Sequence, residues 1–336
     1  MPAPASDTRK VVNAGDKEKI SSLRWVLGLT MSSVFTLSYF FAPSYMLLST
    51  ILLIFRYPTL PIAATFAAPL IISAVIPPIP SAWLLSKLTP MLDYFQYEQI
   101  IETSPVDVRK NMRNGKNYIL AVQPHGVLSL TGMCSAVYAG VSGDIDMQGT
   151  IPTGVASVLL STPILKHVMG IFNLISADKA SLKKQFKKGG IEGTVVLYVG
   201  GMAELFLSSV EEETLYLNKR KGFIKLALQE GVDVVPIYLF GNTTVLSVLQ
   251  TGYLANLSRK MQVSLTYFWG KFGLPIPRDS KCLYVGGQPL GMPKIENPTQ
   301  ADVDEWHAKY CEAVTKLFEK YKEKVPAYKH KKLKII

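Results

Sequence analysis

The spacing of charged positions divides the chain more sharply than any other pattern. Positions 25–55 contain no charged residue in 31 places and positions 57–86 none in 30, with Arg56 alone between them. About 20 apolar residues make one helical membrane span, so each stretch is long enough to cross. Pro58, Pro61, Pro69, Pro77, Pro78 and Pro80 crowd the second, which predicts a broken or tilted helix there. A secretory signal peptide fits poorly, because the apolar run is too long and starts after a polar leader of 24 residues.

From Lys87 onward the pattern changes. Short apolar runs over 117–122, 171–176, 194–199, 232–240 and 281–285 predict strands; amphipathic stretches over 127–138, 158–169, 179–188 and 222–229 predict helices. Alternation of this kind predicts an α/β domain with a mostly parallel sheet, with chemistry at the carboxyl ends of its strands. A final helix starts at Thr299, where Thr299 and Asp302 form an approximate capping box. Val303, Trp306, Tyr310, Val314, Leu317 and Tyr321 follow as an apolar stripe. The tail from Lys320 carries seven lysines and His330, which reads as a solvated end or a contact for anionic lipid headgroups. The expected organisation is a polar leader (1–24), a membrane hairpin (25–86) and a globular domain (87–336).

Charge orients the hairpin. Arg9, Lys10, Lys17, Lys19 and Arg24 precede the first stretch; Lys87, Arg109, Lys110, Arg113 and Lys116 follow the second; only Arg56 lies in the turn. Positive charge on both outer flanks predicts that both ends are cytosolic. The 336 residues carry 36 basic and 25 acidic side chains, a net charge of +11, which suits a membrane surface, a phosphate-bearing substrate or nucleic acid without choosing among them. Cys134, Cys282 and Cys311 are too far apart for a CxxC or a Cys/His cluster, so neither a disulfide framework nor a structural zinc is indicated.

The chain lacks a G-x-S-x-G elbow, a G-x-x-x-x-G-K-[ST] loop, a G-x-G-x-x-G turn and an H-E-x-x-H helix, which weighs against serine hydrolases, P-loop enzymes, dinucleotide enzymes and zincins. Of its four histidines, His307 lies on the amphipathic terminal helix, His330 in the lysine tail and His167 beside Lys166, all positions that suit structure. His125 differs, because it follows a strand in Gln123-Pro124-His125-Gly126, where a proline ends pairing and a glycine permits a tight turn. A second strand end reads Gly200-Gly201-Met202-Ala203-Glu204 and offers a carboxylate. A third segment, Lys219-Arg220-Lys221, places three cations before a helix, where phosphates can bind.

Together these blocks resemble the type 2 diacylglycerol acyltransferase family, which also contains monoacylglycerol and wax-alcohol acyltransferases. The resemblance runs from about Asp93 to Val325. The family's H-P-H-G corresponds to Gln123 through Gly126, its G-G-x-x-E to Gly200 through Glu204, and its R-x-K-G-F and V-P-x-x-x-F-G to Asn218 through Gly241; Val285 through Leu290 resembles its V-G-x-P-I turn. Gln123 replaces the family's first histidine, Gln96 replaces the proline of its Tyr-Phe-Pro block, and Leu130 stands where distant glycerolipid acyltransferases carry an aspartate.

The resemblance implies acyl transfer from acyl-CoA to diacylglycerol, needing neither cofactor nor metal. His125 would be the general base and Glu204 would orient its imidazole. Gly126, Gly200 and Gly201 would supply oxyanion amides, and Lys219, Arg220 and Lys221 would meet the CoA phosphates. Monoacylglycerol or a long-chain alcohol is the alternative acceptor, and a non-catalytic lipid-droplet scaffold the alternative of another class. The implied partners are acyl-CoA, diacylglycerol and the phospholipid bilayer, without nucleic acid. The implied location is the endoplasmic reticulum membrane, with the lipid droplet and a homo-oligomer also allowed.

Overall fold

The computed structural model describes residues 10–11, 20–142, 151–207, 211–249 and 267–336. Most of the leader lies outside the described residues. Its first long element is the Ser22–Phe55 helix, 34 residues capped by the Ser21 hydroxyl, which accepts from the Arg24 amide at 3.3 Å. At about 1.5 Å per residue it reaches roughly 51 Å. It is the one helix among the described residues long and apolar enough to cross a membrane.

Its two halves have different surroundings. Up to Ala42 it packs on the globular part. A side-chain carbon on Gly28 would fall 2.3 Å from the Pro90 carbonyl oxygen, so only glycine lets the helix cross there. Phe35 meets Phe172 at 5.5 Å between ring centres, and Phe40 meets Phe268 at 4.7 Å. Buried Ser32 and Ser33 spend their hydroxyls on the carbonyls of Gly28 and Leu29 (2.8 and 2.7 Å), which satisfies them without a partner across the seam. Past Ala42 the helix leaves the domain. Leu47, Ile54 and Phe55 are exposed, and its neighbour is the Leu60–Val75 helix, joined by a hydrogen bond from the Tyr45 hydroxyl to the Phe66 carbonyl.

The second apolar stretch yields only this 16-residue helix, short of the roughly 20 residues that make a span, because Pro77, Pro78 and Pro80 cannot continue it. Its carboxyl end is tied to the domain. Lys166 Nζ donates to the Ala74 carbonyl (3.0 Å), the His167 ring to that of Ser73 (3.2 Å), and the Ile164 amide to the Ser73 hydroxyl (2.6 Å). At the start of the pair, Arg24 Nε meets Asp93 at 2.5 Å.

The remainder is an α/β domain, as the alternation predicts. In chain order its strands are β1 (Lys10–Val11), β2 (Glu98–Ile101), β3 (Tyr118–Gln123), β4 (Thr153–Val155), β5 (Leu174–Ser176), β6 (Val195–Tyr198), β7 (Glu212–Leu215), β8 (Asp233–Phe240), β9 (Ser247–Val248), β10 (Phe268–Trp269), β11 (Leu283–Gly286) and β12 (Lys332–Ile335). Eight of them form one sheet in the order β1-β2-β11-β8-β3-β6-β4-β5. Every pairing in it is parallel except β1 with β2 and β11 with β8. The centre is β3 beside β8, in register from Tyr118 opposite Asp233 to Gln123 opposite Tyr238. All eight residues of β8 are buried, as expected of a strand covered on both faces.

Two expectations need correction. The stretch 158–169 is two helices, Ser157–Ser161 and Leu165–Gly170, because Pro163 cannot continue the first and Ile164 turns into the left-handed region (φ 65). The lysine tail is solvated at Lys320, Lys324, Lys329, Lys332 and Lys334 but is not a free end. β12 pairs in parallel with β7, and Lys331, 7% exposed, donates to the buried carboxylate of Glu213 at 2.6 Å. The terminal helix Gln300–Tyr321 carries the complete capping box at Thr299 and Asp302. Its Tyr310, Val314, Leu317 and Phe318 enter the main core beside Phe223, Leu226 and Tyr238.

Candidate active site

β3 and β6 run in parallel, so both end at the same edge of the sheet, and the turns that follow bring His125 and Glu204 together across 79 positions of sequence. The contact is not the one expected. Glu204 Oε2 accepts from the main-chain amide of His125 at 2.8 Å, and Oε1 from the amide of Tyr216 at 3.2 Å. The imidazole is held by its neighbour instead, with Nδ1 2.8 Å from the carbonyl oxygen of Gly126. A carbonyl can only accept, so Nδ1 carries the hydrogen and Nε2 keeps its lone pair. The tautomer that suits a base is therefore fixed by the peptide next door, and the carboxylate fixes the backbone from which the ring projects.

The glycines make room. Gly126 has φ 62, and a side chain there would fall 2.7 Å from the Asn242 carbonyl. A side chain on Gly200 would fall 1.9 Å from Glu204 Oε1, so the carboxylate reaches the His125 amide only over a bare backbone. Gly201, at φ 63, turns the chain into the short 3₁₀ helix Gly201–Phe206 that carries Glu204.

Asn242, fully buried just past the end of β8, is a participant that the sequence pattern misses. Its Nδ2 donates to the carbonyls of Pro124 (2.9 Å) and His125 (2.8 Å), while its Oδ1 accepts from the Thr131 amide (3.2 Å). One side-chain amide thus clamps three main-chain groups around His125. Tyr198, the last residue of β6, meets the imidazole edge-on at 5.2 Å between ring centres. Gln123 is buried and accepts from the Tyr310 hydroxyl, which ties the end of β3 to the terminal helix.

Burial sets the electrostatics. It lowers the pKa of His125 below the ordinary histidine value, with the Gly126 carbonyl pulling the other way, so the ring is neutral near pH 7. Burial pushes Glu204 up to about 7 against the opposing pull of the His125 and Tyr216 amides. Behind Glu204 lies Glu213, whose Oε1 takes hydrogen bonds from Lys331 (2.6 Å) and Thr243 (2.7 Å), and Thr243 shares a third with the Tyr328 hydroxyl (2.8 Å).

The three cations separate. Lys221 Nζ pairs with Asp304 of the terminal helix at 2.7 Å, whereas Lys219 and Arg220 are exposed. The Arg220 guanidinium lies over the Tyr216 ring at 5.2 Å, and Nη2 comes within 3.8 Å of the place where a side chain on Gly201 would begin. Of the three cations, Arg220 is thus the one that reaches the Gly201 turn. Among the described residues, no three His, Cys, Asp or Glu side chains gather where they could hold a metal ion.

Fold and site together define a membrane-associated α/β protein with a neutral histidine clamped at the carboxyl edge of a parallel sheet. The chain belongs to the diacylglycerol acyltransferase family: the family profile described as diacylglycerol acyltransferase matches residues 91–336. Diacylglycerol O-acyltransferase 2 of Homo sapiens is 30% identical over 247 residues, covering 69% of this chain and 62% of that protein. The protein of the same name from Dictyostelium discoideum is 32% identical over 250 residues, covering 68% and 71%. The matched part thus spans less than two thirds of the human relative's length. Among solved structures, the 1-acyl-sn-glycerophosphate acyltransferase of Thermotoga maritima is similar at a TM-score of 0.41 and 12% identity, over 88% of this chain and 97% of that one.

Proposed function

We propose that the protein transfers a fatty acyl group from acyl-CoA to the free hydroxyl of diacylglycerol, giving triacylglycerol and CoA, with His125 as general base. The observation that carries this reading is the bond between Nδ1 and the Gly126 carbonyl, which leaves Nε2 free to take a proton. Nε2 removes the hydroxyl proton, the oxygen attacks the thioester carbon, the carbon–sulfur bond breaks, and the imidazolium returns the proton to the CoA thiolate. An alcohol is a weak nucleophile until deprotonated, and a histidine of unperturbed pKa about 6.5 suits that step near neutral pH.

Amides at the Gly126, Gly200 and Gly201 turns are the oxyanion donors in this scheme. Lys219 and Arg220 take the CoA phosphates, and Lys221, paired with Asp304, ties their loop to the terminal helix. The helix pair inserts from the cytosolic face of the endoplasmic reticulum, with residues 1–24 and 87–336 on the same side. The ties from Arg24 to Asp93 and from Lys166 to Ala74 support this, because they anchor the first helix's start and the second helix's end to one domain.

The test is purified protein in micelles with labelled acyl-CoA, offered diacylglycerol, monoacylglycerol and a long-chain alcohol in turn. Transfer to diacylglycerol at the highest kcat/KM is expected, and no transfer to any of the three would overturn the proposal. Protease protection of tags at both ends, in sealed microsomes, tests the topology: both should be digested.

A further inference from the structure

The turn that follows β10 is built to present one apolar side chain outward. Phe272 is 88% exposed and stands in the left-handed region at φ 58, a conformation that costs a non-glycine residue on the order of 1–3 kcal/mol. The neighbouring backbone enforces it. The Gly270 amide donates to the Leu274 carbonyl (2.6 Å), the Lys271 amide to that of Ile276 (2.7 Å), and the Tyr267 hydroxyl to that of Gly273 (2.7 Å). Leu274, 51% exposed, and Tyr267, 44% exposed, flank the tip. Among the described residues nothing covers the Phe272 ring, and with Leu274 and Tyr267 beside it the tip is an apolar cluster that a surface outside the molecule would cover.

The position of the turn says which surface. Lys271 Nζ lies over the Trp25 ring at 4.5 Å and over Tyr94 at 5.5 Å, and pairs with Asp279 at 3.2 Å. Trp25 is the first residue of the uncharged stretch, directly after Arg24. A tryptophan and a lysine at the start of an apolar helix mark the level of the lipid headgroups. The turn then runs beside the helix: the Thr36 hydroxyl donates to the Pro275 carbonyl at 2.5 Å, and Phe40 meets Tyr267 at 5.9 Å. The exposed ring is one residue from Lys271, so it sits where headgroups give way to acyl chains.

We propose that the Tyr267–Leu274 turn is a second membrane contact, with Phe272 as a wedge in the headgroup–acyl boundary of the bilayer that receives the Ser22–Phe55 helix. The inference rests on that helix lying in lipid and is independent of the chemistry at His125. Full burial of such a ring is worth about 1.5–3 kcal/mol, comparable to the backbone strain. The contact therefore sets the height and tilt of the domain and adds little to net attachment.

The experiment replaces Cys311 with serine, leaves the buried Cys134 and Cys282 in place, adds one accessible cysteine by Phe272→Cys, labels it with an environment-sensitive fluorophore and reconstitutes the full chain in phosphatidylcholine vesicles. A probe placed by Lys316→Cys, on the exposed side of the terminal helix (73% exposed), serves as reference. The expected result is a blue-shifted emission at 272 that is quenched by lipids with a nitroxide near the headgroup, and neither effect at 316. Aqueous emission at 272 would overturn the proposal. So would a blue shift without lipid quenching, which assigns the ring to another protein surface. Loss of acyl transfer with the quenching intact bears on His125 alone.

Discussion

The carboxylate of Glu204 accepts a hydrogen bond from the main-chain amide of His125 and leaves the imidazole to the carbonyl of Gly126. This changes what each residue does. His125→Ala should lower kcat by about 10²- to 10⁴-fold with little change in the KM for acyl-CoA, since it removes a proton acceptor and no binding group. Steady-state kinetics in micelles decide it, and a variant of unaltered kcat would end the general-base scheme.

Glu204→Gln keeps the shape but offers a single acceptor oxygen to two amides that now find two, at His125 and Tyr216. One buried amide loses its partner, at a cost of about 1–3 kcal/mol. The turn loosens, and kcat should fall roughly tenfold for each 1.4 kcal/mol of that cost expressed in the transition state. The acid limb of the pH–kcat/KM profile, set by His125 of the free protein, should stay below about 6.5 in both proteins. If the substitution moves that limb upward, Glu204 acts on the ring directly.

Stability should depend on pH through Glu204. Its folded-state value of about 7 lies above the ordinary carboxyl range, so the folded protein holds the proton more tightly than the unfolded chain. The stabilisation is complete below pH 4.5 and is lost as pH rises toward 7, on the order of 3 kcal/mol at most. Thermal denaturation from pH 4.5 to 8 should show a smaller decline in Glu204→Gln than in the parent; parallel curves would exclude Glu204 as the group responsible.

Asn242→Asp removes both donors that hold the carbonyls of Pro124 and His125 and sets a carboxylate against them. Two bonds at about 1 kcal/mol each, plus the unsatisfied carbonyls, predict a stability loss of roughly 2–4 kcal/mol and a fall in kcat that exceeds any rise in KM. Chemical denaturation and kinetics on the same sample separate the two effects. Retention of both would show that the turn needs no clamp.

Lys331→Met leaves Glu213 buried without its cation. Breaking a buried pair from one side costs about 3–5 kcal/mol, whereas the double variant with Glu213→Gln should recover a large part of it. Equal melting temperatures for the parent and Lys331→Met would mean that the tail is not held by this pair.

What was legible in the sequence follows from what was local. Pro124 and Gly126 punctuate the end of β3, so the place of His125 could be read from its neighbours, and Thr299 with Asp302 announces the last helix three residues apart. Pro163 also gives a local signal, and it breaks a helix that periodicity alone predicts whole. β12 alternates as Lys332-Leu333-Lys334-Ile335, a period of two hidden by its lysines. Asn242 was invisible for a different reason. Its partners are main-chain groups 117 and 118 positions away, and a carbonyl leaves no mark in a sequence. The same holds for Glu204: residue types suggest side chains that could meet, and only the fold shows that the amide comes first.

The seam along the first half of the Ser22–Phe55 helix has one more consequence. Phe35 lies on Phe172 and Gly28 against Pro90, so the anchor is a wall of the domain and not a cable attached to it. A catalyst on a flexible cable samples every height and heading above its membrane. This one has a single posture relative to its long helix, so if the proposed acyl transfer holds, a lipid diffusing in the plane of the bilayer would meet the same face at every encounter, in a two-dimensional search. By the same geometry, a chain shortened to begin at Lys87 would bare Tyr94, Phe172 and Phe268 to water. What looks like a detachable anchor is, along its first half, a part of the core.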